Sequence, residues 1–182
     1  ETAAASASIL KLARSTKLSI PGFETPKLTA EESKIFLKTV IKQVNNQVPV
    51  IVGVSNPGID NLIDLANFSM DADAAGVMIA PPPGIGTEEK LYNYLANTLD
   101  KLDARIPVCY QDYPFFTKTE ISVATFNKII GEYDQVVMFK HEEWPGLNKL
   151  SRIRYSSDKG DTRRVSILTG NGGLFLPQEM QR

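Results

Sequence analysis

Apolar residues recur along this chain in two alternating rhythms. Short continuous runs rich in β-branched residues begin at Val48 (VPVIVGV), Gly76 (GVMIAP), Ile106 (IPVCYQDY), Gln135 (QVVMFK) and Val165 (VSILTG). Their starts lie 28 to 30 residues apart. A step of that size holds one strand, one crossover helix and two loops. The runs are continuous rather than alternating, as in parallel strands covered on both faces. A weaker run, Leu18 to Pro21, precedes them.

The intervening segments carry the helical period. Thr29-Ala30-Glu31-Glu32 reads as a capping box, followed by an apolar stripe at Phe36, Val40 and Val44 that Leu37 and Ile41 widen. Leu62, Leu65, Ala66 and Met70 make a second such face. Leu91, Leu95, Leu99 and Leu102 make a third, entered through Thr87. Further helices are expected from Ile121 to Gly131 and, shorter, from Gly146 to Tyr155, and Gln178 to Arg182 reads as the start of another. Turn signals separate the units at Asn56-Pro57-Gly58, Pro81-Pro82-Pro83-Gly84 and Asp158-Lys159-Gly160-Asp161. No linker or compositional break interrupts them, so residues 1–182 are expected to form a single domain with about six βα units visible. Two α/β architectures fit. A doubly wound sheet needs no more strands than these. A (β/α)8 barrel takes roughly 250 residues, and this chain would lack one strand before Leu18 and one after Arg182. Periodicity does not choose between them.

Composition narrows the function classes. Of the 182 residues 42% are hydrophobic and 23% charged, with a formal net charge of -1. That balance gives no general attraction to nucleic acid or to an anionic membrane. The single cysteine, Cys109, excludes an intramolecular disulfide framework and fits a reducing, cytoplasmic setting; a buried, inert thiol is its expected state. Apolar runs such as Val48 to Val54 are far too short for a membrane span. The Ala/Ser run from Thr2 to Ser8 makes a poor signal peptide and reads as a frayed start to a helix around Ile9 to Arg14. With one histidine, His141, and no zinc spacing, phosphate loop or dinucleotide fingerprint, no metal or cofactor is expected.

Chemistry is expected where the strands end. Those ends read Ser55-Asn56, Pro81, Gln111-Asp112-Tyr113, Lys140-His141-Glu142 and Gly170-Asn171-Gly172-Gly173. Lys140 closes the apolar run Val136-Val137-Met138-Phe139. An ammonium there is costly unless it reaches water or has work to do. A desolvated lysine can attack a carbonyl as a free amine and form a Schiff base; the alternative is a lysine snorkelling to solvent. His141 is expected at the surface, Glu142-Glu143 as a solvated loop edge like Asp71 and Asp73, and Trp144-Pro145-Gly146 as packing for the loop. Asn171-Gly172-Gly173 could turn backbone N–H groups toward an anion, or be glycine-rich for steric reasons alone.

Five segments in order carry a resemblance: Leu28-Thr29-Ala30-Glu31-Glu32, Val48-Pro49-Val50-Ile51-Val52-Gly53, Ile106-Pro107 with Pro114, Phe139-Lys140-His141-Glu142, and Leu168-Thr169-Gly170-Asn171. The chain resembles the dihydrodipicolinate synthase / N-acetylneuraminate lyase family of class I aldolases. That resemblance implies a (β/α)8 barrel, incomplete in this chain, and Lys140 as the lysine that forms an imine with pyruvate or another 2-oxo acid. It implies no cofactor and a homo-oligomer, tetramer or dimer. Aligned without a gap, the family's catalytic tyrosine falls on Gln111, and Phe115-Phe116 stand where the family has its carboxylate-binding arginine. Because Gln111 and Tyr113 share a face of a regular strand, Tyr113 is the expected proton relay, the alternative being an aromatic packed beside Phe115 and Phe116. Gln111, Gly170 and Asn171 are the expected substrate contacts. Tyr92, Tyr94, Phe115 and Phe116 are expected on or beside loops at the strand-end face, suited to a partner surface or a ligand lid. Two alternatives remain: a barrel that kept the fold without the chemistry, and an aldolase or dehydratase acting on a 2-keto-3-deoxy sugar acid.

Overall fold

The computed structural model describes residues 18–20 and 28–182. The helix expected at Ile9 to Arg14 lies outside the described residues. The elements run β1 (Leu18–Ile20), α1 (Ala30–Val44), β2 (Val50–Gly53), α2 (Ile59–Asp71), β3 (Gly76–Ile79) and α3 (Glu88–Lys101). There follow β4 (Val108–Asp112), α4 (Pro114–Thr117), α5 (Val123–Glu132), β5 (Val136–His141), α6 (Leu147–Asp158) and β6 (Ser166–Thr169). A 3-10 turn (Asn171–Gly173) and α7 (Leu176–Glu179) close the described chain. Strand and helix alternate in the register that the 28 to 30 residue step implies. Among the described residues no helix is long and apolar enough to cross a membrane.

Two compact units divide between Met78 and Ile79. In the first, β1 pairs with β2 and β2 with β3, all parallel. Helix α1 starts as its sequence demands: Glu32 N–H donates to Thr29 Oγ1 at 3.2 Å, and Thr29 N–H donates to Glu32 Oε2 at 2.9 Å. Its buried face differs from the expected stripe. Ser33, Leu37 and Val44 are buried, Val40 and Ile41 are half-buried, and Phe36 is 50% exposed. A four-residue step overshoots one helical turn by about 40°, so a row of every fourth residue winds off the face it starts on. Helix α2 buries Leu62, Ala66 and Ser69. The strands β2 and β3 are buried along their whole length, as continuous apolar runs should be.

In the second unit β4 pairs with β5 and β5 with β6, again parallel. Neither unit reverses chain order among the strands described. Helix α3, capped by Thr87 Oγ1 accepting from Lys90 N–H at 3.2 Å, buries Leu91, Leu95, Thr98 and Leu99. Tyr92 and Tyr94 lie on this helix rather than beside loops: the Tyr92 hydroxyl donates to Glu132 Oε2 at 2.6 Å, and the Tyr94 hydroxyl is buried. Helical spacing from Leu91 puts these tyrosines on the flanks of the apolar face.

Helix α5 seats Phe126 edge-on against Phe139 of β5, with ring centroids 4.7 Å apart, and beside Tyr110 of β4 at 6.1 Å. Tyr110 and Phe139, opposite each other in the β4–β5 register, thus mark the helix-facing side of both strands. Arg163 locks the turn between α5 and β5, its guanidinium donating to the carbonyls of Ile130, Tyr133 and Val136 at 3.0, 2.9 and 2.6 Å. Phe126 is fully buried at the centre of this packing. Phe126→Ala is expected to cost about 3–5 kcal/mol through lost burial and an unfilled cavity, read as a lowered midpoint in urea unfolding.

Candidate active site

Alternation along β5 turns Phe139 and His141 to the helix side and Lys140 to the other. In the parallel ladder Gln111 stands opposite Lys140, and Lys140 opposite Leu168. Facing residues of neighbouring strands share a side, so Gln111 and Lys140 are brought together there. Both are buried, Lys140 at 8% exposure. Glu142 joins them from just beyond the strand. Its backbone N–H continues the ladder to the Asp112 carbonyl at 2.9 Å, which returns its side chain to the Lys140 face. Glu142 Oε1 lies 2.9 Å from Lys140 Nζ and accepts from Gln111 Nε2 at 2.6 Å. Gln111 Oε1 is buried and has no hydrogen-bond donor among the described residues.

The glycine at 170 is required by this arrangement. A Cβ there would lie 2.0 Å from Glu142 Cγ. Its N–H donates to the His141 carbonyl at 2.9 Å, and the exposed Asn171 side-chain amide donates to the Glu142 carbonyl at 3.4 Å. Gly170 and Asn171 therefore sit against Glu142. Tyr113 lies past the end of β4 as the N-cap of α4, half-buried, with its ring stacked on Phe116 at 6.2 Å and 5°. Phe115 is 77% exposed and carries the Lys118 ammonium over its face.

The helix-facing side of the same strand ends holds a second polar group. Lys149 of α6 reaches Asp112 Oδ2 at 2.9 Å and Glu143 Oε2 at 2.7 Å. Burial pushes the Asp112 carboxyl up to about 6, against the pull of Lys149. For Lys149 burial pulls downward, but Asp112 and Glu143 outweigh it and the ammonium is held above its ordinary range. His141 Nδ1 lies 2.7 Å from Glu179 Oε1 of α7, with both side chains almost fully buried. Gly146 packs against the imidazole, since a Cβ there would lie 2.1 Å from Nε2. Asp112, His141 and Glu143 each have a ligand-capable atom within 4.8 Å of the others. Lys149 already supplies the positive charge between the two carboxylates, so this group reads as an internal ion network rather than a metal centre.

Two expectations change. His141 is buried and paired, not superficial. Glu142 and Glu143 are not a solvated edge: their side chains are 10% and 17% exposed and each meets a lysine. Trp144 stacks on Phe175 at 4.5 Å while staying 70% exposed. The spacing Lys140-x-Glu142 could have signalled the first pair, because residues two apart on a strand share a face. Nothing local announces Glu179 or Lys149.

The sequence pattern of the Dihydrodipicolinate synthetase family matches residues 21–178. A 4-hydroxy-tetrahydrodipicolinate synthase of Methanosphaera stadtmanae is 29% identical over 161 residues, covering 87% of this chain and 52% of that protein. The crystal structure of the dihydrodipicolinate synthase from Rhodopseudomonas palustris superposes with a TM-score of 0.84 at 40% identity, over 90% of this chain and 54% of that one. YagE, an E. coli K12 prophage protein of the dihydrodipicolinic acid synthase family crystallised in complex with pyruvate, has the same fold at 21% identity and a TM-score of 0.80, over 98% of this chain and 59% of that one. The chain spans about half the length of the relatives it matches, and its fold is an incomplete parallel α/β barrel.

Asp112 makes the stability of this region depend on pH. Its folded-state carboxyl titrates near 6, above its ordinary 3.8, so between those values the folded chain binds more protons than the unfolded one. Its contribution is then fully present below about 4 and lost as pH rises through 6. Asp112→Asn removes this titration. In urea unfolding across pH 4 to 7, the variant should gain on the wild type as pH rises, with most of the change below about 6.5.

Proposed function

The chain belongs to the dihydrodipicolinate synthetase family, and on that premise we propose that it is a Schiff-base lyase or aldolase whose Lys140 condenses with pyruvate or another 2-oxo acid. One observation carries this reading. Lys140 is buried at the C-terminal end of a parallel strand, its side chain 10% exposed and matched to a carboxylate. The ends of barrel strands are where such folds place their chemistry. The amine adds to the keto carbon, water leaves, and the resulting iminium draws electrons from the adjacent carbon. No separate cofactor enters the scheme, because the iminium itself is the electron sink.

Gln111 offers its unmatched buried oxygen to a substrate hydroxyl or to the imine N–H. Gly170 and Asn171 border the same space beside Glu142. Tyr113 is the proposed relay for protons at the imine's neighbouring carbon. Homo-oligomerisation, as a tetramer or dimer, belongs to the same proposal, with exposed Phe115 and Phe116 as contact candidates. The competing reading, a relative without the chemistry, draws on Phe115 and Phe116 replacing the arginine expected to hold the substrate carboxylate.

Borohydride reduction in the presence of pyruvate should leave a reduced adduct on Lys140, located by mass spectrometry of peptides. Lys140→Ala should abolish it. No adduct with any of a panel of 2-oxo acids, 2-keto-3-deoxy sugar acids included, would favour the non-catalytic reading. Tyr113→Phe is expected to slow turnover by roughly 100-fold while leaving the imine trappable; an unchanged turnover would remove Tyr113 from the mechanism.

A further inference from the structure

We propose that Glu142 is a catalytic residue, the carboxylate that takes a proton from Lys140 and delivers it to the departing hydroxyl as the imine forms. The inference deepens the Schiff-base reading and rests on it.

Contact, burial and restraint support it together. Glu142 Oε1 lies 2.9 Å from the nitrogen that must lose a proton before it can attack. Both side chains are 10% exposed, so bulk water is a poor competitor for that proton. The carboxylate is also fixed in place. Gln111 donates to the same oxygen at 2.6 Å, the Glu142 N–H is tied to the Asp112 carbonyl, and Gly170 leaves the space through which Cγ passes. Gln111 cannot itself carry a proton, since an amide does not titrate. The nearby carboxylates are otherwise engaged: Asp112 and Glu143 with Lys149, and Glu179 with His141.

The protons balance. The ammonium gives one proton to the Glu142 carboxylate, leaving a neutral amine and a carboxylic acid. The amine lone pair forms a bond to the keto carbon while the carbonyl π pair moves to oxygen. Glu142 protonates that oxygen and takes a proton from the new ammonium centre, giving a neutral carbinolamine. Glu142 then gives its proton to the hydroxyl, the carbon–oxygen bond breaks, water leaves, and the nitrogen lone pair closes the iminium. Three protons on nitrogen become one on the iminium and two in water. Glu142 ends as the carboxylate it began as.

The test follows imine formation in the full chain, with pyruvate as the probe, borohydride quenching at timed intervals and mass spectrometry at Lys140. Glu142→Gln keeps side-chain volume and hydrogen-bonding capacity but cannot titrate. It should form the adduct about 100-fold more slowly than wild type, with an unchanged circular dichroism spectrum. Glu142→Ala should be as slow, and added formate should restore part of its rate while leaving the wild type unaffected. That rescue separates proton transfer from a merely structural role. Should Glu142→Ala fail to fold, Glu142→Gln carries the test alone. Adduct formation in Glu142→Gln at the wild-type rate would overturn the proposal while leaving the Schiff-base reading intact, as would a folded Glu142→Ala that formate does not rescue. No adduct on the wild type would overturn both.

Discussion

A cation buried at the end of an apolar strand is the constraint on which the strand-end region depends. Lys140 ends the run Val136 to Phe139, of which Val136, Met138 and Phe139 are buried. Its charge is compensated by Glu142, two residues on, whose carboxylate is steadied in turn by Gln111 from β4. Several local features follow from keeping that carboxylate in place. The β4–β5 register sets Gln111 beside Lys140, the ladder runs one residue past the strand, and residue 170 has no room for a side chain.

Stability gives little reason for such an arrangement. A buried ion pair repays the desolvation of its charges only in part, and well-packed apolar residues of similar volume often do as well or better. Removing one partner is another matter, costing about 3–5 kcal/mol because the other charge is left buried alone. The strand could have ended on another apolar residue. That it ends on a matched lysine, on the side away from the helices, is the feature on which the proposed chemistry rests.

The two sides of the strand ends divide the polar work. Asp112, Lys149 and Glu143 form an ion network on the helix side that ties α6 to β4, and the contact between His141 and Glu179 beside it ties α7 to β5. Gln111, Lys140 and Glu142 occupy the opposite side. Strand alternation therefore lets adjacent residues serve different ends: Gln111 and Lys140 face the proposed site, Asp112 and His141 the helices. The carboxyl of Asp112, pushed up by burial, belongs to the anchoring.

Some of this was legible in the sequence. The even spacing of apolar runs specified the strand–helix alternation, because one βα unit has a nearly constant length. Thr29 and Glu32 specified where α1 begins, since a capping box needs only residues three apart. The run ending at Lys140 put an ammonium at a strand end, and alternation carried the information that Glu142 shares its side. Other features came from the tertiary structure alone. Gln111 meets Glu142 across 31 residues, Lys149 meets Asp112 across 37, and His141 meets Glu179 across 38. Which face of α1 is covered, leaving Phe36 in solvent, likewise depended on what packed against it. Beyond the spacing of the βα units, the chain's periodicities reach only a turn of helix or a pair of strand residues. Which carboxylate finds a buried cation depends on which segments the strand register and helix packing bring beside it.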